Sequence, residues 1–195
     1  MEIPYQLLIL SIPSLILVLI YRWRVGESWR SSFSKVGWQG SGPIYFLWSF
    51  VVLAVIGGLA WLALKFIPPE LFQSEHVNIS NYISTPKTLS GIAGIFLYEA
   101  FYIALGEEIF FRGWLGGWLN RRAGFIIGNS IQSLIFLLPH LMLLTISVQF
   151  WPILIPQFVA GWLQGWLRFR SDSILPGWLT HSLANTLSAI SFIYQ

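Results

Sequence analysis

Apolar residues fall into long runs at about 3–21, 43–64, 88–106, 124–140, 148–167 and 173–194, divided by short polar segments. A helix needs about 20 residues to cross the hydrocarbon core of a bilayer. The pattern predicts an all-α, polytopic transmembrane helix bundle of about six spans. The run from Pro43 to Leu64 contains no charge at all. Residues 141–167 are also charge-free, and Pro152 and Pro156 are placed to break or kink that stretch. Glu2 stands where a secretory signal carries positive charge, and no small-x-small site precedes Arg22, Arg24 and Arg30. Residues 3–21 therefore read as a retained spanning helix. No fixed-period repeat or low-complexity tract divides the chain, so residues 1–195 read as one membrane domain, with two N-terminal spanning helices in residues 1–64.

The polar segments support this division. Residues 65–87 carry Pro68, Pro69, Glu70, Glu75 and His76, while Arg121-Arg122 and the stretch Arg168 to Asp172 mark two short turns. Many of the eleven tryptophans, Trp23, Trp61, Trp114, Trp118 and Trp151 among them, lie near run ends, as in interfacial belts.

Composition strengthens the membrane reading. The chain is 55% hydrophobic and only 10% charged, against about 25% charged in soluble domains. The net charge of +3 does not signal nucleic acid, because Lys and Arg sit in short clusters between apolar runs. Segments 22–42, 107–123 and 168–172 fall on one side of a six-span topology and hold nine of the eleven Lys and Arg residues. This bias puts them in the cytoplasm and both termini outside. There is no cysteine, which excludes disulfides, thiolate metal sites and a Cys nucleophile.

Ionisable groups inside spans are expensive unless paired, so each is a functional candidate. Five stand out: Glu99, Glu107, Glu108, His140 and His181. Asn129, Asn185 and Gln157 add polar groups at membrane depth. Glu108 and Arg112 are four apart, on one helical face, and can pair. Glu107 points about 100° away and lacks an in-helix partner, which leaves it available as a general base. Asn129, Ser133, Phe136 and His140 share one helical face. His181 and Asn185 also share a face, and both can donate hydrogen bonds to a developing oxyanion. Each feature also has a plain structural reading: a charge cluster at the membrane edge, an interfacial histidine, or hydrogen-bond glue between helices. Gln157, Gln164 and Arg168 form a stripe read as structural or cavity-lining, and Glu99 fits either the cavity or its entrance.

Taken in order, Glu107-Glu108-x-x-x-Arg112, Phe136-x-x-x-His140 and His181-x-x-x-Asn185 resemble the three-motif signature of the CAAX-protease and bacteriocin-processing (CPBP, or Abi) intramembrane proteases. The resemblance covers residues 88–194, which it marks as the catalytic core. It implies an intramembrane endopeptidase in which Glu107 and His140 activate a water, His181 and Asn185 stabilise the oxyanion, and Glu108 and Arg112 support them. It implies no cofactor. The alternative on residue types is a divalent metal such as zinc held by Glu107, His140 and His181. The implied partners are membrane lipid and a membrane-associated protein or peptide substrate, with no nucleic acid, in a multi-pass protein of a prokaryotic cytoplasmic membrane. The competing reading is a non-catalytic membrane immunity or scaffold protein that keeps the fold. A transporter lacks support, since no inverted repeat is evident.

Overall fold

Helix α1 (Tyr5–Ile20) is apolar on nearly every side and runs on through a wider π-helical turn, Tyr21–Val25. A computed structural model describes residues 4–73, 82 and 84–193. Glu75 and His76 of the polar connection lie outside the described residues. Ser28 starts α2 (Trp29–Lys35) by accepting the Ser31 N–H on its hydroxyl, a standard N-cap. Pro43 opens α3 (Pro43–Leu64) at its first turn, where a missing N–H costs nothing. Thr88 caps α4 (Leu89–Tyr98).

From α4 the chain stays helical further than the apolar pattern suggests. It passes through a π-helical stretch, Glu99–Ala104, then α5 (Leu105–Glu107), then a second π-helical stretch, Glu108–Gly116, and into α6 (Gly117–Leu137). The basic segment 107–123, expected as a connection, is thus part of a helix. In a bilayer the backbone must satisfy its own hydrogen bonds, and a helix does so even where side chains are polar. The reversal comes at Gly124, whose φ of 74° and ψ of 167° interrupt α6; that conformation is open to glycine and strained for other residues.

After α6 come a 3-10 turn, Pro139–Met142, the short α7 (Leu143–Ile146) and a 3-10 segment, Val148–Ile153. Pro152 lies in that segment, and α8 (Leu154–Ser171) begins beyond it, later than the run at 148–167 suggests. Pro156 falls in the first turn of α8, where its missing N–H is harmless. Asp172 takes a left-handed conformation (φ 54°) and turns the chain into α9 (Leu175–Ile193). The described residues contain no strand.

Among the described residues, three helical stretches are long and apolar enough to cross a membrane: Tyr5–Val25, Pro43–Leu64 and Leu89–Ile146. Side-chain placement is inverted relative to a water-soluble core. Ile9, Leu47, Trp61, Ile126 and Leu134 face outward, while Glu108, Arg112, Asn129, Gln132 and Gln164 are buried. Lipid explains both halves of this arrangement, since apolar side chains dissolve in it and charged ones must find partners inside the protein.

Packing gathers the motif-bearing helices. Helix α9 lies against α3, α8 and the Glu99–Ala104 stretch; α6 lies against α8. Ser49 on α3 donates to the Pro176 carbonyl at 2.8 Å, and Trp178 Nε1 donates to the Ala100 carbonyl at 2.7 Å. The basic segments share one end of the bundle. There, the Ile174 N–H donates to the Gly37 carbonyl, and Gln39 Nε2 donates to the Asp172 carbonyl at 2.8 Å.

Candidate active site

Glu107 and Glu108 sit where α5 passes into the second π-helical stretch. Such local widening of a helix is frequent at functional sites. The two carboxylates diverge, as their 100° separation requires. Glu108 is fully buried. Its Oε1 lies 3.0 Å from Arg112 Nη1, one turn on, and 3.0 Å from His181 Nδ1 on α9. Its other oxygen faces Gly177, where a Cβ would come within 2.9 Å. Any side chain at 177 would crowd this carboxylate, so glycine there lets α9 approach.

Arg112 is held from three sides. Besides Glu108, its Nη2 donates to Gln164 Oε1 at 2.5 Å, and its guanidinium lies 4.1 Å above the Phe136 ring. Gln164, expected to be structural or cavity-lining, therefore caps a buried cation. Phe136 is a shared wall. Its ring lies 5.0 Å from that of His140 and 6.0 Å, edge-on, from that of His181.

Glu107 is less enclosed. It lines a cavity of about 320 Å³ with His140, Phe111, Phe136, Pro139, Gln6, Ile9 and Leu10. Its Oε2 stands 3.7 Å from His181 Nε2, and its Oε1 accepts a hydrogen bond from Gln6 Nε2 at 2.7 Å. His140 follows the helix-ending Pro139, and its Nδ1 is 3.1 Å from the Phe136 carbonyl. A carbonyl oxygen only accepts, so Nδ1 carries a proton there, and in the neutral ring Nε2 is left as an acceptor.

Glu107, His140 and His181 thus occupy one region, with Glu108 and Arg112 behind them. Asn185, one turn beyond His181, is engaged elsewhere: its Nδ2 donates to Glu99 Oε2 at 2.8 Å. Glu99 is buried and also accepts from the Tyr82 hydroxyl on Oε1 at 2.5 Å. Burial and the Glu99 carboxylate push the Tyr82 phenol up, so it stays protonated and donating. Arg168 lies apart from this cluster. Arg168 stands 3.9 Å from Asp172 at the basic end.

Sequence reasoning did not find Gln6, Tyr82 or Gly177. Gln6 carried a weak signal, as a polar residue in an apolar run. Tyr82 and Gly177 carried none, because their roles depend on neighbours distant in sequence.

The donor set Glu107, His140 and His181 is of a type that zinc accepts, and the contact between His181 and Glu108 resembles the carboxylate support of many zinc-bound histidines. Among the described residues, however, no three His, Asp or Glu side chains are arranged to hold a metal ion.

A family model described as type II CAAX prenyl endopeptidase Rce1-like matches residues 89–187, just over half of the chain. No curated protein and no solved structure matches.

Proposed function

From the chain's membership of the type II CAAX prenyl endopeptidase Rce1-like family, we propose that it is an intramembrane endopeptidase that cleaves a membrane-associated protein or peptide through a water activated by Glu107 and His140. One observation carries this reading. Glu107 and His140 line the same cavity, and His181 Nε2 stands 3.7 Å from the Glu107 carboxylate.

The chemistry follows from the contacts. Glu107 Oε2 takes a proton as the water oxygen attacks the scissile carbonyl carbon, and His140 Nε2 orients that water. The carbonyl oxygen becomes an oxyanion and accepts hydrogen bonds from His181 Nε2–H and from the second amide hydrogen of Asn185. The tetrahedral intermediate then collapses. The C–N bond breaks, and the proton held by Glu107 passes to the leaving nitrogen. Glu108 holds His181 by Nδ1, which turns Nε2 toward the reacting carbonyl. Arg112 stands 3.0 Å from the buried Glu108 carboxylate and supplies the cation that a buried carboxylate in a low-dielectric site requires. Glu99 holds Asn185 in place.

The protein is further proposed to be a multi-pass protein of a prokaryotic cytoplasmic membrane, with its basic segments in the cytoplasm. Their gathering at one end of the bundle supports that orientation.

The test is independent of substrate identity. Membranes from cells carrying the wild-type protein are compared with membranes carrying Glu107→Gln, and new C-terminal peptides are identified by mass spectrometry. The expected result is a set of peptides present with wild type and absent with the variant. Identical sets, with both proteins folded at equal abundance, would overturn the assignment and favour a non-catalytic role.

A further inference from the structure

Helix α1 lies outside the residues that match the family, yet it forms one wall of the cavity. It meets the helix bearing Glu107 along a single face. Gln6 reaches Glu107, Leu7 packs on Gly106, Leu10 faces the cavity, and Ser14 Oγ donates to the Ile109 carbonyl at 2.9 Å. Positions 7, 10 and 14 advance by three and four residues, the repeat of one helical face, and Gln6 borders it. The crossing is close: a Cβ on Gly106 would stand 2.8 Å from the Leu7 Cα. Glycine at 106 is therefore what brings Gln6 within hydrogen-bonding reach of residue 107. Elsewhere α1 is little attached, with Leu8, Ile9, Ile12, Leu15 and Ile16 exposed.

We infer that Gln6 is a positioning residue for the base: by donating from Nε2 to Glu107 Oε1 it occupies that oxygen and leaves Oε2, the oxygen facing His181, as the one that receives the water's proton. The inference rests on the assignment of Glu107 as the base. A carboxylate at the end of a two-carbon stem can rotate and present either oxygen. In an apolar cavity nothing else on α1 competes for it, since the other cavity-lining residues of that helix, Ile9 and Leu10, have no polar side-chain atom. The amide of Gln6 fixes the rotation without adding a charge, which a lysine in the same place would do.

Two substitutions separate positioning from packing. Gln6→Leu removes the donor and keeps bulk. Gln6→Glu keeps shape and replaces the amide by a group that donates only when protonated. The titratable groups facing position 6 are Glu107 on the same contact, and His140 and His181 across the cavity. In the Gln6→Glu variant, the donor is present only when the introduced carboxyl is protonated, so the defect should shrink as pH falls. The defect of Gln6→Leu relative to wild type should not follow pH.

The readout is the rate at which Glu107-dependent C-terminal peptides appear in isolated membranes, measured at several pH values for wild type, Glu107→Gln, Gln6→Leu and Gln6→Glu. Gln6→Leu is expected to slow their appearance about 10²-fold, the scale of a misplaced catalytic group, at unchanged protein abundance. Gln6→Glu is expected to be comparably slow at neutral pH and to recover toward the wild-type rate on acidification. Wild-type rates in both variants, or a Gln6→Glu defect as insensitive to pH as that of Gln6→Leu, would overturn the inference while leaving the enzyme assignment intact. If wild type and Glu107→Gln yield the same peptides, the enzyme assignment itself fails and takes the positioning role with it.

Discussion

His181 Nδ1 lies 3.0 Å from Glu108 Oε1, a contact across 73 residues of sequence. The same oxygen is 3.0 Å from Arg112 Nη1. One buried carboxylate therefore anchors the last helix to the helix that carries Glu107.

This anchor predicts the behaviour of Arg112→Ala. Removing the guanidinium leaves Glu108 buried beside His181 without its cation, at a cost of about 3–5 kcal/mol in a dry site. The variant should show a lowered melting midpoint in detergent and reduced abundance, together with lost activity. A fully stable and fully active Arg112→Ala protein would remove the supporting role from this pair.

Glu107→Gln should behave in the opposite way. Glu107 faces a cavity and makes its closest contact with Gln6, so a neutral isostere disturbs little packing. The expected outcome is loss of turnover with a thermal midpoint near that of wild type. A large drop in midpoint would mark Glu107 as a structural charge.

Asn185→Ala should leave residual activity, since one lost oxyanion donor costs roughly 10²–10³ in rate. Because Glu99 accepts both the Asn185 amide and the Tyr82 hydroxyl, Tyr82→Phe should weaken the same function by a smaller factor, read in kcat more than in KM. Equal rates for Asn185→Ala and wild type would place Asn185 in helix packing alone.

Chelation tests the metal question. The steps derived for Glu107 and His140 predict that proteolysis survives exhaustive chelation and that active purified protein contains no stoichiometric zinc. Activity abolished by chelator and restored by zinc would replace the water-activation scheme with a metal-assisted one, with Glu107, His140 and His181 as its ligands.

Topology can be read with reporter fusions at residues 30, 75 and 170. Tags at 30 and 170 should report cytoplasm, and a tag at 75 the opposite side. The reverse pattern would invert the orientation derived from the positive charges.

The helices at positions 43–64 and 173–194 were legible because their pattern is local. The first coincides with α3, and the second with α9, Leu175–Ile193. The middle was less legible. Segment 107–123 has the polarity of a connection, yet it is helical, because its polar side chains pair internally through Glu108, Arg112 and Gln164. The i,i+4 pairing of Glu108 with Arg112 could be read from spacing. That Gln164 would complete it could not.

What the sequence determined by itself is the membrane environment, the helical class and a set of ionisable and polar candidates within the apolar runs. Hydrophobic run length and the cost of charge in lipid depend only on which residues follow one another. The tertiary structure decided the pairings: Glu108 to His181, Glu99 to Asn185 and Tyr82, and Gln6 to Glu107. A hydrogen bond forms only within about 3 Å, and that distance is set by how helices cross. Crossing in turn depends on side-chain volumes at the contact, such as Gly106 beneath Leu7 and Gly177 beside Glu108. Neither glycine differs, in the sequence alone, from the others that serve no such contact.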